Sequence, residues 1–373
     1  MSVLPSKTAC QLFANEMLKM DKLEQKPAPL PTLPAENDDP TAAARKRDHI
    51  ELAFQSQVAQ VELDGRFSYE PLLAAHPKPG SLPPISFLGK TLKAPIWVSS
   101  MTGGTDWAHT INHNLARACG EFGLGMGLGS CRSLLFSDER LEDFAVRHLM
   151  GNDLPLFANL GVAQVEQLLA KNEWQRVDGL LEKLQADGLI IHVNPLQEWL
   201  QPEGDRFERP PIETIAEFLE KSQTPLIVKE VGQGMGYESL KALFQLPLQA
   251  VDFAAGGGTN FAKLELHRSD PVKQEIFAHL ARVGHTAAEM VQFVNQIKAG
   301  LGERMRCGQV IISGGIQSFL DGYWLINKVE LPSVYGQASG FLRHAQGSYE
   351  ELQDYVAAQI RGLELASAFL RVR

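Results

Sequence analysis

The chain has 373 residues, 44% of them hydrophobic, enough for one large domain or two ordinary ones. Its formal net charge of -9 excludes a global field that would gather nucleic acid or an anionic membrane, so an anionic ligand must be held by local groups. No apolar run is long enough to predict a membrane span, and the N-terminus lacks the apolar core of a secretory signal.

Residues 1–44 read as an N-terminal extension. "CQLFANEMLKMDKLEQK" predicts a short amphipathic helix with Leu12, Met17 and Met20 among its apolar residues. "PAPLPTLPAENDDP" holds five prolines in fourteen residues and predicts an extended linker. "TAAARKRDHIELAF" then restarts helical texture with the basic cluster Arg45, Lys46 and Arg47. Taken alone, such a run is usually a solvated helix start. The four cysteines, Cys10, Cys119, Cys131 and Cys307, show neither a CxxC pair nor a zinc spacing, which fits reduced thiols and a cytoplasmic location.

From residue 80 onward, short β-rich runs alternate with longer helical stretches. The runs are "APIWVSS" (94–100), "GLGMGLGS" (123–130), "PLFANLG" (155–161), "GLIIHVN" (188–194), "PLIVKEVG" (225–232), "AVDFAAGG" (250–257), "QVIISGG" (309–315) and "SVYGQASG" (333–340). Most are continuously apolar, as strands buried on both faces of a parallel sheet must be. "AQVEQLLAKN", "PIETIAEFLEKS" and "EMVQFVNQIKAG" are helix candidates between them. Eight such units predict an α/β fold, a (β/α)8 TIM barrel over residues 45–373; an open doubly wound sheet is the structural alternative.

In a barrel of this kind the active site forms at the C-terminal ends of the strands. The expected tips are Met101, Thr102 and Gly103 after the first run, and Ser130 and Arg132 after the second. Asn159 closes the third; His192, Asn194, Gln197 and Glu198 follow the fourth. Lys229 ends the fifth, Thr259 follows the sixth, Gly314 and Gly315 the seventh, and Ala338 the eighth. Taken singly, each has a plain structural reading: glycines and polar residues form turns, and a strand-end histidine is commonly a structural hydrogen-bonder. Lys229 is harder to set aside, because a buried ammonium is costly unless it meets an anion. The small-residue turns "SGGIQ" and "GQASG" suit a phosphate held by backbone N–H groups. A cation at mid-barrel suits the negative edge of a reduced flavin ring.

Read together and in order, "RKRDHIELAF", "SSMTGGT", "GSCR", "ANLGVAQ", "HVNPLQEWLQPEGDR", "PLIVKEVGQGMG", "AAGGGTNFAKLE" and "ISGGI" resemble type 2 isopentenyl-diphosphate isomerase over about residues 45–345. The resemblance implies an FMN- and Mg2+-dependent barrel enzyme of isoprenoid biosynthesis. It would interconvert isopentenyl and dimethylallyl diphosphate on a reduced flavin, with NADPH as reductant. Met101, Thr102, Gly103, Ser130, Asn159, Lys229 and Thr259 would contact FMN, with Gly314, Gly315 and Ala338 at its phosphate. Arg45, Lys46, Arg132, His192 and Asn194 would bind the substrate diphosphate. Gln197 would lie near the alkene, with His192 the other expected catalytic side chain, and Glu198 would hold Mg2+. A homo-oligomer, tetramer or larger, is also implied. The family pattern has Gln where Cys131 stands and Arg where Gln317 stands, and both changes bear on ligand affinity. Two alternatives follow: a barrel homologue with weakened or lost flavin binding, and another FMN-dependent oxidoreductase acting on a hydroxy acid.

Overall fold

A computed structural model describes residues 41–99, 102–103 and 105–373. The predicted amphipathic helix, the proline linker and Met101 lie outside the described residues. The chain divides into two compact units, residues 1–63 and 64–373. In the first, the helix Ala42–Leu52 carries Arg45, Lys46 and Arg47 in exposed positions.

The second unit holds the barrel. Three short strands precede it: β1 (Phe67–Tyr69), β2 (Ile85–Phe87) and β3 (Lys90–Leu92). The barrel strands are β4 (Ile96–Val98), β5 (Gly125–Gly127), β6 (Leu156–Gly161), β7 (Gly188–His192), β8 (Leu226–Lys229), β9 (Ala250–Asp252), β10 (Val310–Ser313) and β11 (Ser333–Gln337). Each falls inside one of the eight apolar runs. They close in the order β10-β11-β4-β5-β6-β7-β8-β9, with every pairing parallel. The open-sheet alternative is thereby excluded. The strands are buried because helices cover them outside; those at 162–170, 211–221 and 287–301 match the three expected from the sequence. A last strand, β12 (Leu370–Val372), pairs antiparallel with β1 and ties the C-terminus to the start of this unit.

The β2–β3 hairpin covers the N-terminal end of the barrel. Leu88 N–H donates to Gln309 Oε1 just before β10, and Lys90 Nζ donates to Leu154 O just before β6 and to Asp187 just before β7. Phe87 of the hairpin packs edge-on to Trp97, which meets Phe157 at a 6.2 Å centroid separation. Large rings fit here because glycines face them: a Cβ on Gly125 would stand 2.5 Å from the Trp97 ring, and one on Gly188 would stand 2.6 Å from Phe157. With that end closed, ligand access is confined to the opposite mouth. Among the described residues no helix is long and apolar enough to cross a membrane.

Gly125→Ala overpacks this aromatic layer and is expected to lose about 1–3 kcal/mol of stability. Gly179, on the helix Arg176–Leu184, has nothing within 4 Å of an added Cβ. Gly179→Ala is therefore expected to gain about 0.5–1 kcal/mol. Urea midpoints of the two variants should move in opposite directions; a shared direction would contradict this packing.

Candidate active site

The site begins with one row of residues across neighbouring strands. Gly161, His192, Lys229 and Asp252 are in register on β6, β7, β8 and β9. Residues in register share a face of the sheet, so the side chains of His192, Lys229 and Asp252 converge. Gly161 contributes room: a Cβ there would stand 3.0 Å from His192 Nε2.

Lys229 is 7% exposed, and its Nζ donates to Glu230 O at 2.9 Å. Asp252 is fully buried beside it. Burial pushes the Asp252 carboxyl above its usual range, while the Lys229 cation, Ser313 and the Ala254 N–H pull it back. Asp252 Oδ1 accepts from Ser313 Oγ, whereas Oδ2 has no partner among the described residues. Glu230 does a different job from its neighbour. Its Oε2 accepts the N–H groups of Gly232, Gln233 and Gly234 at 2.6–3.0 Å, which fixes the loop after β8.

His192 donates Nδ1–H to Asn159 Oδ1 at 2.8 Å, since Asn159 uses its Nδ2 on Leu128 O. That tautomer leaves Nε2 as an acceptor. Burial first, and then the Lys229 charge, push the imidazole down to about 3. At neutral pH the side chain is therefore uncharged.

Two groupings flank this row. On one side, a cavity of about 640 Å3 is lined by Lys229, Thr259, Gly314, Gly315 and Ala338, five of the residues expected from the sequence. Gly314 and Gly315 have φ of 87° and 72°, and a Cβ on Gly314 would lie 2.1 Å from Ala255 O. Both positions thus require glycine, and the turn presents bare backbone to the cavity. Ser99 also lines it, its Oγ buried and without a partner among the described residues. Gln317, where the resembled family has Arg, is exposed at the rim, and Arg343 also lines this cavity.

On the other side, hydrogen bonds join the residues after β5 and β7. Asn194 Nδ2 donates to Gln197 Oε1 and Glu198 Oε1, both at 3.0 Å. Gln197 Nε2 reaches Glu265 Oε1 at 3.4 Å, and Glu198 Oε2 accepts Asp205 N–H at 2.7 Å. Arg132 pairs with Asp205 at 3.0 Å and remains 55% exposed, so its guanidinium retains free donors. Asn194 is 2% exposed and its Oδ1 has no partner among the described residues. Among the described residues, no three His, Cys, Asp or Glu side chains form a ready-made metal cluster. Mg2+ does not need one, since one or two carboxylates are usually completed by water and substrate phosphates. Glu198 is a fitting donor on that basis.

Thr102 donates to Asn112 Oδ1 at 2.9 Å, and its backbone abuts Gly129. Gly103 lies against Phe144 and the carbonyl of the exposed Ser130. Cys131 points elsewhere: it is buried, its Sγ lies 3.3 Å from Gly129 O, and burial pushes the thiol up to about 12. Arg45 and Lys46 belong to the first unit. The sequence reading did not single out Asp252, Glu265, Asp205, Ser99 or Arg343. Asp252 had a usable signal, since an acid inside "AVDF" is as costly to bury as the lysine that drew notice.

A closed parallel barrel with a buried cation and a glycine-walled cavity at its C-terminal mouth has the architecture of a TIM-barrel enzyme. The isopentenyl-diphosphate delta-isomerase of Rickettsia felis is 34% identical over 331 residues, covering 86% of this chain and 90% of that protein. The isopentenyl-diphosphate delta-isomerase of Rickettsia peacockii is 34% identical over 323 residues, covering 83% of this chain and 89% of that one. The chain belongs to the isopentenyl-diphosphate delta-isomerase family. No protein-family model matches it. Among solved structures, a mandelate oxidase variant with (S)-mandelic acid matches with a TM-score of 0.50 at 12% identity, covering 83% of this chain and 87% of that one, a likeness of fold alone.

The His192 geometry predicts a pH effect. Its folded pKa lies below the unfolded value of about 6.5, so the unfolded chain binds the proton first. Its contribution to stability is intact above about pH 6.5 and is lost progressively as pH falls toward 3. His192→Gln should flatten the stability–pH curve in that window; identical slopes in both proteins would contradict the assignment.

Proposed function

We propose that the chain interconverts isopentenyl and dimethylallyl diphosphate, a step of isoprenoid biosynthesis, with reduced FMN in the barrel mouth and Mg2+ on the substrate diphosphate. The observation that carries this reading is the buried Lys229 facing a glycine-walled cavity of about 640 Å3. The family membership gives the reaction, and the cavity's chemistry suits the cofactor. A flat ring with a negative edge would meet a fixed ammonium, and its phosphate tail would meet bare backbone at Gly314 and Gly315.

The reaction is a 1,3 proton shift across an unactivated alkene, in which a tertiary cation develops with no heteroatom beside it. When bound, the reduced flavin supplies an electron-rich face to that cation and a nitrogen able to carry the moving proton. The protein's part is placement. Lys229, whose Nζ donates to Glu230 O, would hold negative charge at the ring edge. On the family pattern, Met101, Thr102, Gly103, Ser130, Asn159 and Thr259 would contact the ring, and Ala338 its phosphate. Arg132 would bind the substrate diphosphate, because charge-assisted contacts to phosphate are strong and Arg can bind two oxygens.

His192 and Asn194 turn acceptor atoms toward the substrate, His192 through Nε2 and Asn194 through its unpaired Oδ1. Neutral His192 would therefore accept a hydrogen bond from the bound substrate through Nε2. Gln197, held between Asn194 and Glu265, presents its amide beside the alkene. Glu198 holds Mg2+ against the diphosphate. In this reading NADPH reduces the flavin, and the enzyme works in the cytoplasm as a homo-oligomer, tetramer or larger, with residues 1–44 as an extension to the barrel domain.

Purified protein with reduced FMN, Mg2+ and isopentenyl diphosphate should form dimethylallyl diphosphate, followed by proton NMR; no product at saturating reduced flavin would refute the reading. Lys229→Ala should weaken FMN binding by about tenfold or more, as loss of a charged contact does. Unchanged affinity in a fluorescence titration would count against Lys229. Glu198→Gln should raise the Mg2+ concentration for half-maximal turnover by about tenfold, the scale of one charged contact, with FMN affinity unaltered. Coincident Mg2+ titrations would remove Glu198 from the metal site.

A further inference from the structure

A second cavity, of about 540 Å3, lies on the other side of the glycine turn Gly256–Gly258. It shares Gly232, Gly257 and Gly258 with the 640 Å3 cavity, so one thin backbone wall separates the two. None of the strand-end residues expected from the sequence to bind substrate lines it. Its polar lining includes Lys263, His267, Arg282 and His285, and no Asp or Glu lines it. Leu266, Ala278 and Ala281 supply an apolar floor.

Lys263 and Arg282 differ from the cations beside them in having no acidic partner among the described residues. On the same helix as Lys263, Arg268 is paired with both Glu203 and Glu265, and Lys273 nearby is paired with Asp270. The Lys263 ammonium and the Arg282 guanidinium have no ion-pair partner among the described residues. The cavity is also built in advance. Gln233 Nε2 donates to Leu280 O and Val283 O, His285 N–H to Gln233 O, Gly256 N–H to His285 O, and Asn260 Nδ2 to Ala281 O. These bonds tie the segment bearing Arg282 to the loops after β8 and β9, so a ligand need not order it.

We infer that this cavity binds a second ligand, a diphosphate carrying a hydrocarbon group. Two unpaired full charges match a multiply charged phosphate, Arg282 can take two oxygens at once, and the apolar floor receives a chain too hydrophobic for a purely ionic site. The volume falls in the range of small-molecule sites. The site stands apart from the flavin chemistry, because none of its cations belongs to the proposed isomerase machinery.

The test is a footprint on the full-length protein. Amine acylation of Lys263, read by mass spectrometry, should slow about tenfold with geranyl diphosphate, the scale of one lost charged contact. Inorganic pyrophosphate should protect Lys263 less. In calorimetry, the Lys263→Ala/Arg282→Ala double variant should lose one geranyl diphosphate site while FMN affinity stays as in the wild type. Lys263 labelled equally with and without geranyl diphosphate would overturn the inference, as would an unchanged number of sites in the double variant. Stronger protection by NADPH than by geranyl diphosphate would overturn the hydrocarbon assignment. Because the footprint reads Lys263 alone, protection in a protein that shows no isomerase turnover would defeat the proposed function and leave this site standing.

Discussion

Lys229 ends a strand that is buried along its whole length, and its ammonium has one backbone carbonyl and a neighbouring carboxyl for company. Removing a charge from water is tolerated only where opposite charge and hydrogen bonds replace the hydration. Asp252, in register on the next strand, supplies part of that replacement. The cavity beyond supplies the opening through which a ligand's negative charge can supply the rest. The same ammonium lowers the basicity of His192 on the other side. One cation thus orders three strands electrostatically, and the parallel register of the barrel makes it possible.

The architecture divides labour between the two ends of the strands. At the N-terminal end, Phe87, Trp97 and Phe157 pack against glycines and the β2–β3 hairpin caps the opening. At the C-terminal end, glycines with positive φ and short polar loops leave space. Rigid packing below holds the strand ends still, which is what a site built from eight separate loops requires. The hydrogen-bonded chain from Arg132 through Asp205, Glu198 and Asn194 to Gln197 and Glu265 then sets side chains from distant parts of the sequence at one side of the mouth.

The barrel was readable because its strands are continuous apolar runs of near-uniform spacing, a pattern that leaves few other folds open. Lys229, Thr259, Gly314, Gly315 and Ala338 were readable as strand-end tips for the same reason, and they line a common cavity. Other features needed three dimensions. "VKEVGQGMG" places Lys229 and Glu230 side by side, yet only geometry shows that Glu230 serves the backbone of its own loop. Asp252 stood unremarked inside a strand run, because register, not sequence spacing, brings it to Lys229. The second cavity arises from the folding back of residues 261–286 onto the β8 and β9 loops, a contact that no periodicity encodes. Cys131 and Gln317 were visible as departures from a pattern, but their consequences depend on where Cys131 points and on Arg343 lying across the cavity.

The account rests on Lys229 acting as a fixed charge against a reduced, negatively charged ring. The reduction potential of FMN bound to the full-length protein measures that directly, in wild type and in Lys229→Met. A potential more positive than that of free FMN in the wild type, falling back in the variant, is the predicted result. Equal potentials in the two proteins would contradict the claim.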